Sequence, residues 1–167
     1  GIIGLGSVGK ELAKKCIALG MNVYGFDLYK DEIFLSEYPE LTFVDSLETI
    51  YNNASVISLH IPHTPKTEHL INRNVIFEKL KKKPIIINTA RGMLVDSIAL
   101  IDGLKSGKIK GYLTDVLSHE PIVDDEVLIG IENVIITPHV GSRTFQSVQR
   151  QGIMAIKNLL KLIKNQK

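Results

Sequence analysis

The chain has 167 residues, the size of one ordinary domain, with 44% hydrophobic and 23% charged residues. A net charge of +2 gives no reason to expect a nucleic-acid partner, and the single cysteine, Cys16, excludes an internal disulfide framework, which makes a reducing, cytoplasmic setting the default. No apolar run approaches the roughly 20 residues needed to cross a bilayer, so no membrane partner is expected.

In chain order, residues 1–5 read as a short buried strand. Val8, Leu12, Ala13, Cys16 and Leu19 fall on one face of the helix that follows, and Gly20 is placed to cap it. Residues 21–26 and 41–44 are the next strands. Asp45 with Glu48 makes a capping box for a short helix. Residues 55–59 form a further buried strand, 75–82 a helix that Pro84 breaks, and 85–87 a continuous apolar strand. Residues 97–104 read as a helix ending near Gly107, 109–116 and 134–136 as strands, and 143–163 as a long terminal helix. Residues 121–130 carry Asp124, Asp125 and Glu126 and read as a surface loop. Strand–helix alternation with continuous rather than alternating apolar strands predicts an α/β fold, a Rossmann-type doubly wound parallel sheet with helices on both faces.

Gly4-Leu5-Gly6-Ser7-Val8-Gly9 is a G-x-G-x-x-G between a strand and a helix. The glycines allow the tight turn, the approach of backbone to pyrophosphate and close helix–strand packing, while the helix start supplies N–H groups for an anion. Asp27 ends the next strand, where a carboxylate accepts from both ribose hydroxyls and repels a 2′-phosphate. Leu28 and Tyr29 follow, with no arginine to hold that phosphate, so NAD is favoured over NADP, with Lys30 a slight counterweight.

Three more segments lie at predicted strand ends, where ligands bind in such sheets. They are residues 87–96, with Asn88-Thr89-Ala90-Arg91-Gly92, residues 114–121, with Asp115-Val116-Leu117-Ser118-His119-Glu120-Pro121, and residues 136–142, with Thr137-Pro138-His139-Val140-Gly141. They supply a guanidinium to hold a carboxylate and polarise a carbonyl, an imidazole to give a proton, and a carboxylate to favour the protonated imidazole and fix its tautomer. Those groups are what reversible reduction of a 2-oxo acid requires. His60 and His63 form an H-x-x-H without a third ligand nearby, so no metal is expected. His69 and His119 read as exposed loop residues, Cys16 as core, and Lys79, Lys81, Lys82 and Lys83 as a solvated helix end.

With Ser58-Leu59-His60-Ile61-Pro62, these motifs stand in the order found in the D-isomer-specific 2-hydroxyacid dehydrogenases, and the chain resembles their nucleotide-binding domain from Gly1 to about Leu160. The resemblance implies Arg91 on the substrate carboxyl and carbonyl, His139 as acid/base and Glu120 as its partner. It implies Ser7 and Val8 against pyrophosphate, Asp27 against the adenosine ribose, and Ile61, Pro62 and Thr67 on the adenine side. Thr89 and Ala90 would contact the cofactor near Arg91, Asp115 would hold the nicotinamide carboxamide, and Gly141, with Ser142 beside it, would lie close to the ring. Formate dehydrogenases, which are similar, carry glutamine at the position of Glu120, so a small 2-oxo or 2-hydroxy acid is the expected substrate. Corepressors of the same fold offer the alternative of an NAD-sensing binding module. The resemblance further implies that residues 1–167 are the NAD-binding domain of a homodimer and that an N-terminal substrate-domain segment is absent. On that reading the chain alone binds NAD but turns substrate over poorly. Leu159, Leu160, Leu162 and Ile163 of the terminal helix are expected to pack on the body of the domain or on the missing one.

Overall fold

A computed structural model describes residues 1–165. The strands are β1 (Ile2–Ile3), β2 (Val23–Phe26), β3 (Leu41–Phe43), β4 (Val56–Leu59), β5 (Ile85–Asn88), β6 (Gly111–Thr114) and β7 (Val134–Ile136). They form one sheet in the order β3-β2-β1-β4-β5-β6-β7, and every pairing is parallel. The helices are α1 (Ser7–Ala18), α2 (Glu32–Glu37), α3 (Leu47–Asn53), α4 (Ser97–Lys105) and α5 (Phe145–Asn165), with a π-helical turn at Val75–Lys79 and a 3-10 turn at Gly92–Leu94.

The strand order reverses between β1 and β4, which opens a crevice at the carboxyl ends of these two strands. The register decides what lines it. Ile3, Leu59, Asn88, Thr114 and Ile136 are level across β1, β4, β5, β6 and β7, so the residue after each lies on one edge. Every segment singled out in the sequence therefore emerges on the same side of the sheet.

The core has two parts. Ala13 and Phe34, from α1 and α2, pack with Ile2, Val23 and Leu41 on one face. Ile50 and Tyr51 of α3, Ile76, and Leu100 of α4 pack with Ile3, Ile57, Leu59 and Ile86 on the other. The first face is covered less fully toward β7, where Ile135 is 60% exposed. Among the described residues no helix is long and apolar enough to cross a membrane.

Several local expectations need correcting. Val8 and Leu19 are exposed, because they sit in the first turn of α1 and on its C-cap, beyond the stretch where Leu12, Ala13 and Cys16 meet the sheet. Gly20 caps α1 as expected, at φ +76°, with its N–H on the Ile17 carbonyl and the Met21 N–H on that of Cys16. α2, not foreseen, starts at Asp31, whose carboxylate accepts from the Phe34 N–H. The cap of α3 is Ser46 and not Asp45, and Glu48 reaches across to Lys79. The helix expected over 75–82 is a single wide turn closed by Leu80 N–H on the Val75 carbonyl. Of the two places expected for Leu159, Leu160, Leu162 and Ile163, the body of the domain is not the one they occupy, since all four are exposed.

Candidate active site

The glycine turn comes first. Gly4 has φ +100°, and a Cβ there would lie 2.6 Å from the His60 carbonyl oxygen at the end of β4. At Gly9 a Cβ would lie 1.9 Å from the Gly4 carbonyl oxygen, so α1 leaves β1 only because that position has no side chain. Gly6 differs: apart from its own chain neighbours, no protein atom lies within 4 Å of where its Cβ would be. It is the N-cap of α1 with no side-chain cap, and Ser7 and Val8 beyond it are exposed. The protein leaves open the one glycine at which backbone must approach a ligand. It also leaves the N–H groups of the helix start without a side-chain partner, which suits a pyrophosphate.

Asp27 stands beside this turn. Its Oδ2 accepts from the Leu5 N–H at 2.7 Å and its Oδ1 from the Tyr29 N–H at 3.1 Å. The carboxylate thus ties the end of β2 to the glycine turn with lone pairs to spare for ribose hydroxyls. Leu28 and Tyr29 are both 85% exposed and supply no cation for a phosphate. On the other side of the crevice, Ile61 borders Gly4 and the hydroxyl of Thr67 donates to the Pro62 carbonyl while accepting from the Thr64 N–H, each at 2.8 Å. His60 and His63 take separate partners. The ring of His60 is 2.8 Å from the Ser58 hydroxyl and is held below the ordinary histidine range by burial, whereas His63 faces Glu68.

Arg91 follows Thr89 and Ala90 in the turn after β5. Its side chain is exposed, with Nη1 on the Ala90 carbonyl. The next residue, Gly92, is buried, and a Cβ there would strike the Leu117 carbonyl carbon at 2.1 Å. The Arg91 turn and the segment after β6 are therefore in backbone contact. That segment positions Glu120, whose Oε1 accepts from the Leu117 N–H at 2.9 Å while Oε2 meets His139 Nδ1 at 2.6 Å. The His139 ring, the Leu117 N–H and the nearby charges of His139 and Arg91 hold the Glu120 carboxyl below the usual carboxylate range. The carboxylate and imidazole are thus in contact, and the Arg91 turn lies at the same sheet edge, near enough for its charge to act on Glu120.

His139 has a left-handed backbone, φ +52°, uncommon for a residue with a side chain. The conformation is held from β6. The buried Asp115 carboxylate accepts from the Thr137 hydroxyl at 2.5 Å, from the Val140 N–H at 3.0 Å and from the Gly141 N–H at 2.8 Å. Burial pushes its carboxyl up, but these three donors and the charge of His139 outweigh it and leave Asp115 below the usual range. A Cβ on Gly141 would sit 3.0 Å from Oδ2, so the close approach favours glycine. With Nδ1 on Glu120, the other ring nitrogen of His139 is left for a reacting oxygen. An apolar cleft of about 710 Å³, walled by Leu117, Pro121, Ile122 and Pro138, borders the pair.

Reading the sequence for side chains that do chemistry passed over those that hold the chemistry in place. Asn88 and Thr137 stand inside the quoted motifs but carried no role there, and the structure gives both hydrogen bonds to site loops. His69 and His119 are exposed, as expected.

Comparisons with known proteins agree with this fold. The family model described as "D-isomer specific 2-hydroxyacid dehydrogenase, NAD binding domain" matches residues 1–141. A hydroxypyruvate reductase of Thermotoga maritima is 39% identical over 96% of this chain and 51% of its own length. A D-3-phosphoglycerate dehydrogenase of Methanocaldococcus jannaschii is 38% identical over 99% of this chain and 31% of its own. The crystal structure of a D-lactate dehydrogenase with NAD+ from Lactobacillus jensenii superposes with a TM-score of 0.85 at 31% identity, over 98% of this chain and 52% of that one. The chain thus spans about a third to a half of these relatives. It belongs to the D-isomer specific 2-hydroxyacid dehydrogenase family, of which it is the NAD-binding domain.

Proposed function

We propose that the full protein carrying this domain is an NAD-dependent oxidoreductase that interconverts a small 2-oxo acid and the D-2-hydroxy acid. The observation that carries this is the 2.6 Å contact between His139 Nδ1 and Glu120 Oε2, beside an exposed Arg91, on the same edge as the glycine turn. The glycine turn and Asp27 hold the dinucleotide, with Ser7 and Val8 on its pyrophosphate, Ile61, Pro62 and Thr67 on the adenine side, and Thr89 and Ala90 toward Arg91. Asp115 uses three of its roughly four acceptor sites on its own chain, which leaves one for the nicotinamide carboxamide beside Gly141. Bound NADH supplies the hydride for reduction, and NAD takes it back in the reverse direction.

The residues do the rest. Arg91 pairs with the substrate carboxylate and draws electron density toward the carbonyl oxygen. His139, protonated and steered by Glu120, gives its proton from Nε2 to that oxygen as the carbon is reduced. Glu120 keeps its charge through the step, because its carboxyl lies below the usual range. In oxidation the same imidazole takes the proton back. We place the remaining substrate contacts in a second lobe, since the relatives are about two to three times as long as this chain, and we expect a cytoplasmic homodimer.

The test is a scan of glyoxylate, hydroxypyruvate, pyruvate, 2-oxoisocaproate and phosphohydroxypyruvate with NADH and the full-length protein. Loss of nicotinamide absorbance with one of them supports the reading. NADH binding with no turnover of any 2-oxo acid overturns it and leaves a sensing module.

A further inference from the structure

A buried polar cluster lies directly beneath the Arg91 turn. Asn88, at the end of β5, is 0% exposed, and both polar atoms of its carboxamide are hydrogen-bonded. Its Oδ1 accepts from the Ala90 N–H at 3.1 Å, and its Nδ2 donates to the Arg91 carbonyl at 2.9 Å and to the Tyr112 hydroxyl at 3.2 Å. The two bonds to residues 90 and 91 close the turn from within, much as an asparagine closes an Asx turn. The third roots the same carboxamide in β6, where Tyr112 is 2% exposed.

β6 also reaches the other half of the site. Thr114, paired with Asn88 across the strands, has its hydroxyl 2.6 Å from the Val116 carbonyl and 3.1 Å from that of Asn88 and takes the Val116 N–H at 3.1 Å, while the Asp115 N–H donates to the Asn88 carbonyl at 3.0 Å. Between these lies Asp115, which holds the His139 turn. A continuous hydrogen-bonded layer therefore runs from the guanidinium-bearing turn to the imidazole-bearing one. Only a group with two donors and one acceptor in one plane makes these three bonds, and a carboxamide has that set.

We propose that Asn88 is the positioning residue of Arg91: it fixes the backbone of residues 90 and 91 so that the guanidinium meets the substrate carboxylate at a set distance from His139. This rests on the reading of Arg91 given above. Asn88 touches neither substrate nor cofactor and acts through the turn alone.

The experiment is a kinetic cycle in the full-length enzyme with the 2-oxo acid it turns over. Asn88→Ala is expected to lower kcat/KM by roughly 10- to 100-fold, chiefly through a higher KM, with a much smaller loss of NADH affinity through the Ala90 turn. Tyr112→Phe removes the buried anchor but leaves both bonds to the turn, so it lowers the melting temperature with little effect on KM. Arg91→Ala and the double variant with Asn88→Ala should be equally poor, since Asn88 acts only through that guanidinium. Should Asn88→Ala not fold, Asn88→Asp keeps the acceptor for the Ala90 N–H and loses the donor to the Arg91 carbonyl, and the same rise in KM is expected. Full additivity of Asn88→Ala with Arg91→Ala, or a KM equal to wild type in a folded Asn88 variant, overturns the proposal. An unchanged KM in Arg91→Ala itself would instead overturn the reading of Arg91.

Discussion

At the scale of single residues the site divides its work among groups of different chemistry, and each can be removed separately. Arg91 is the exposed cation. Losing charge-assisted bonds to a carboxylate costs about 3 kcal/mol, so Arg91→Ala should lower kcat/KM by about 100-fold or more in steady-state assays, with KM rising. Glu120 is the charge beside the imidazole. Reduction needs the protonated ring, and a neutral amide no longer favours it. Glu120→Gln should therefore lower kcat for reduction by about 10- to 100-fold in steady-state assays. An unchanged kcat would show that the 2.6 Å contact does not operate in turnover. Asp27 decides the cofactor: Asp27→Ser should weaken NADH binding and narrow the preference over NADPH, measured by fluorescence titration. Tighter binding of NADPH than NADH by the unaltered protein would contradict its role.

At the scale of elements the turns matter more than the helices. Gly9→Ala puts a methyl 1.9 Å from the Gly4 carbonyl, so α1 must move off β1. The expected result is loss of NADH binding together with a lower melting temperature. The turn of His139 is held by carboxylates, which sets a sign for pH. Asp115 and Glu120 both lie below their ordinary values when folded. Each therefore contributes stability above the unfolded carboxylate range and loses it as pH falls through the folded value. The melting temperature should drop below about pH 4, and Asp115→Asn should flatten that drop. How far the elements were legible follows from the same physics. The strands were found because buried parallel strands are continuous apolar runs, and the glycine turn because its function depends on the absence of side chains. α2 was missed because Glu32–Glu37 is six residues with little apolar period. The wide turn at Val75–Lys79 was overextended because lysines 81–83 continue a helix-compatible pattern without contacts to sustain it. The cap of α3 was misplaced by one residue, since Asp45 and Ser46 are both good caps and only the fold selects between them.

At the scale of the whole molecule, parallel strands put every loop of interest on one edge, and the reversal at β1 and β4 opens the crevice. The site residues were legible as a set because each ends a strand. Their meeting was not, because it depends on register and on the backbone contact at Gly92. Much of the surface is apolar: Ile135 near one end of the sheet and Ile156, Leu159 and Ile163 along α5 are each more than half exposed. That surface fits the second lobe and partner subunit proposed above. Mass measurement of the full-length protein by light scattering should give a dimer, and a monomer at working concentration would contradict that expectation.

The most direct test of the account is turnover by full-length His139→Ala compared with its NADH affinity. A positioned acid/base contributes about 10²- to 10⁴-fold, so kcat should fall by that much while the dissociation constant for NADH stays within about twofold of wild type. Retained wild-type turnover would show that the proton comes from elsewhere and that the imidazole–carboxylate pair is not the centre of the chemistry.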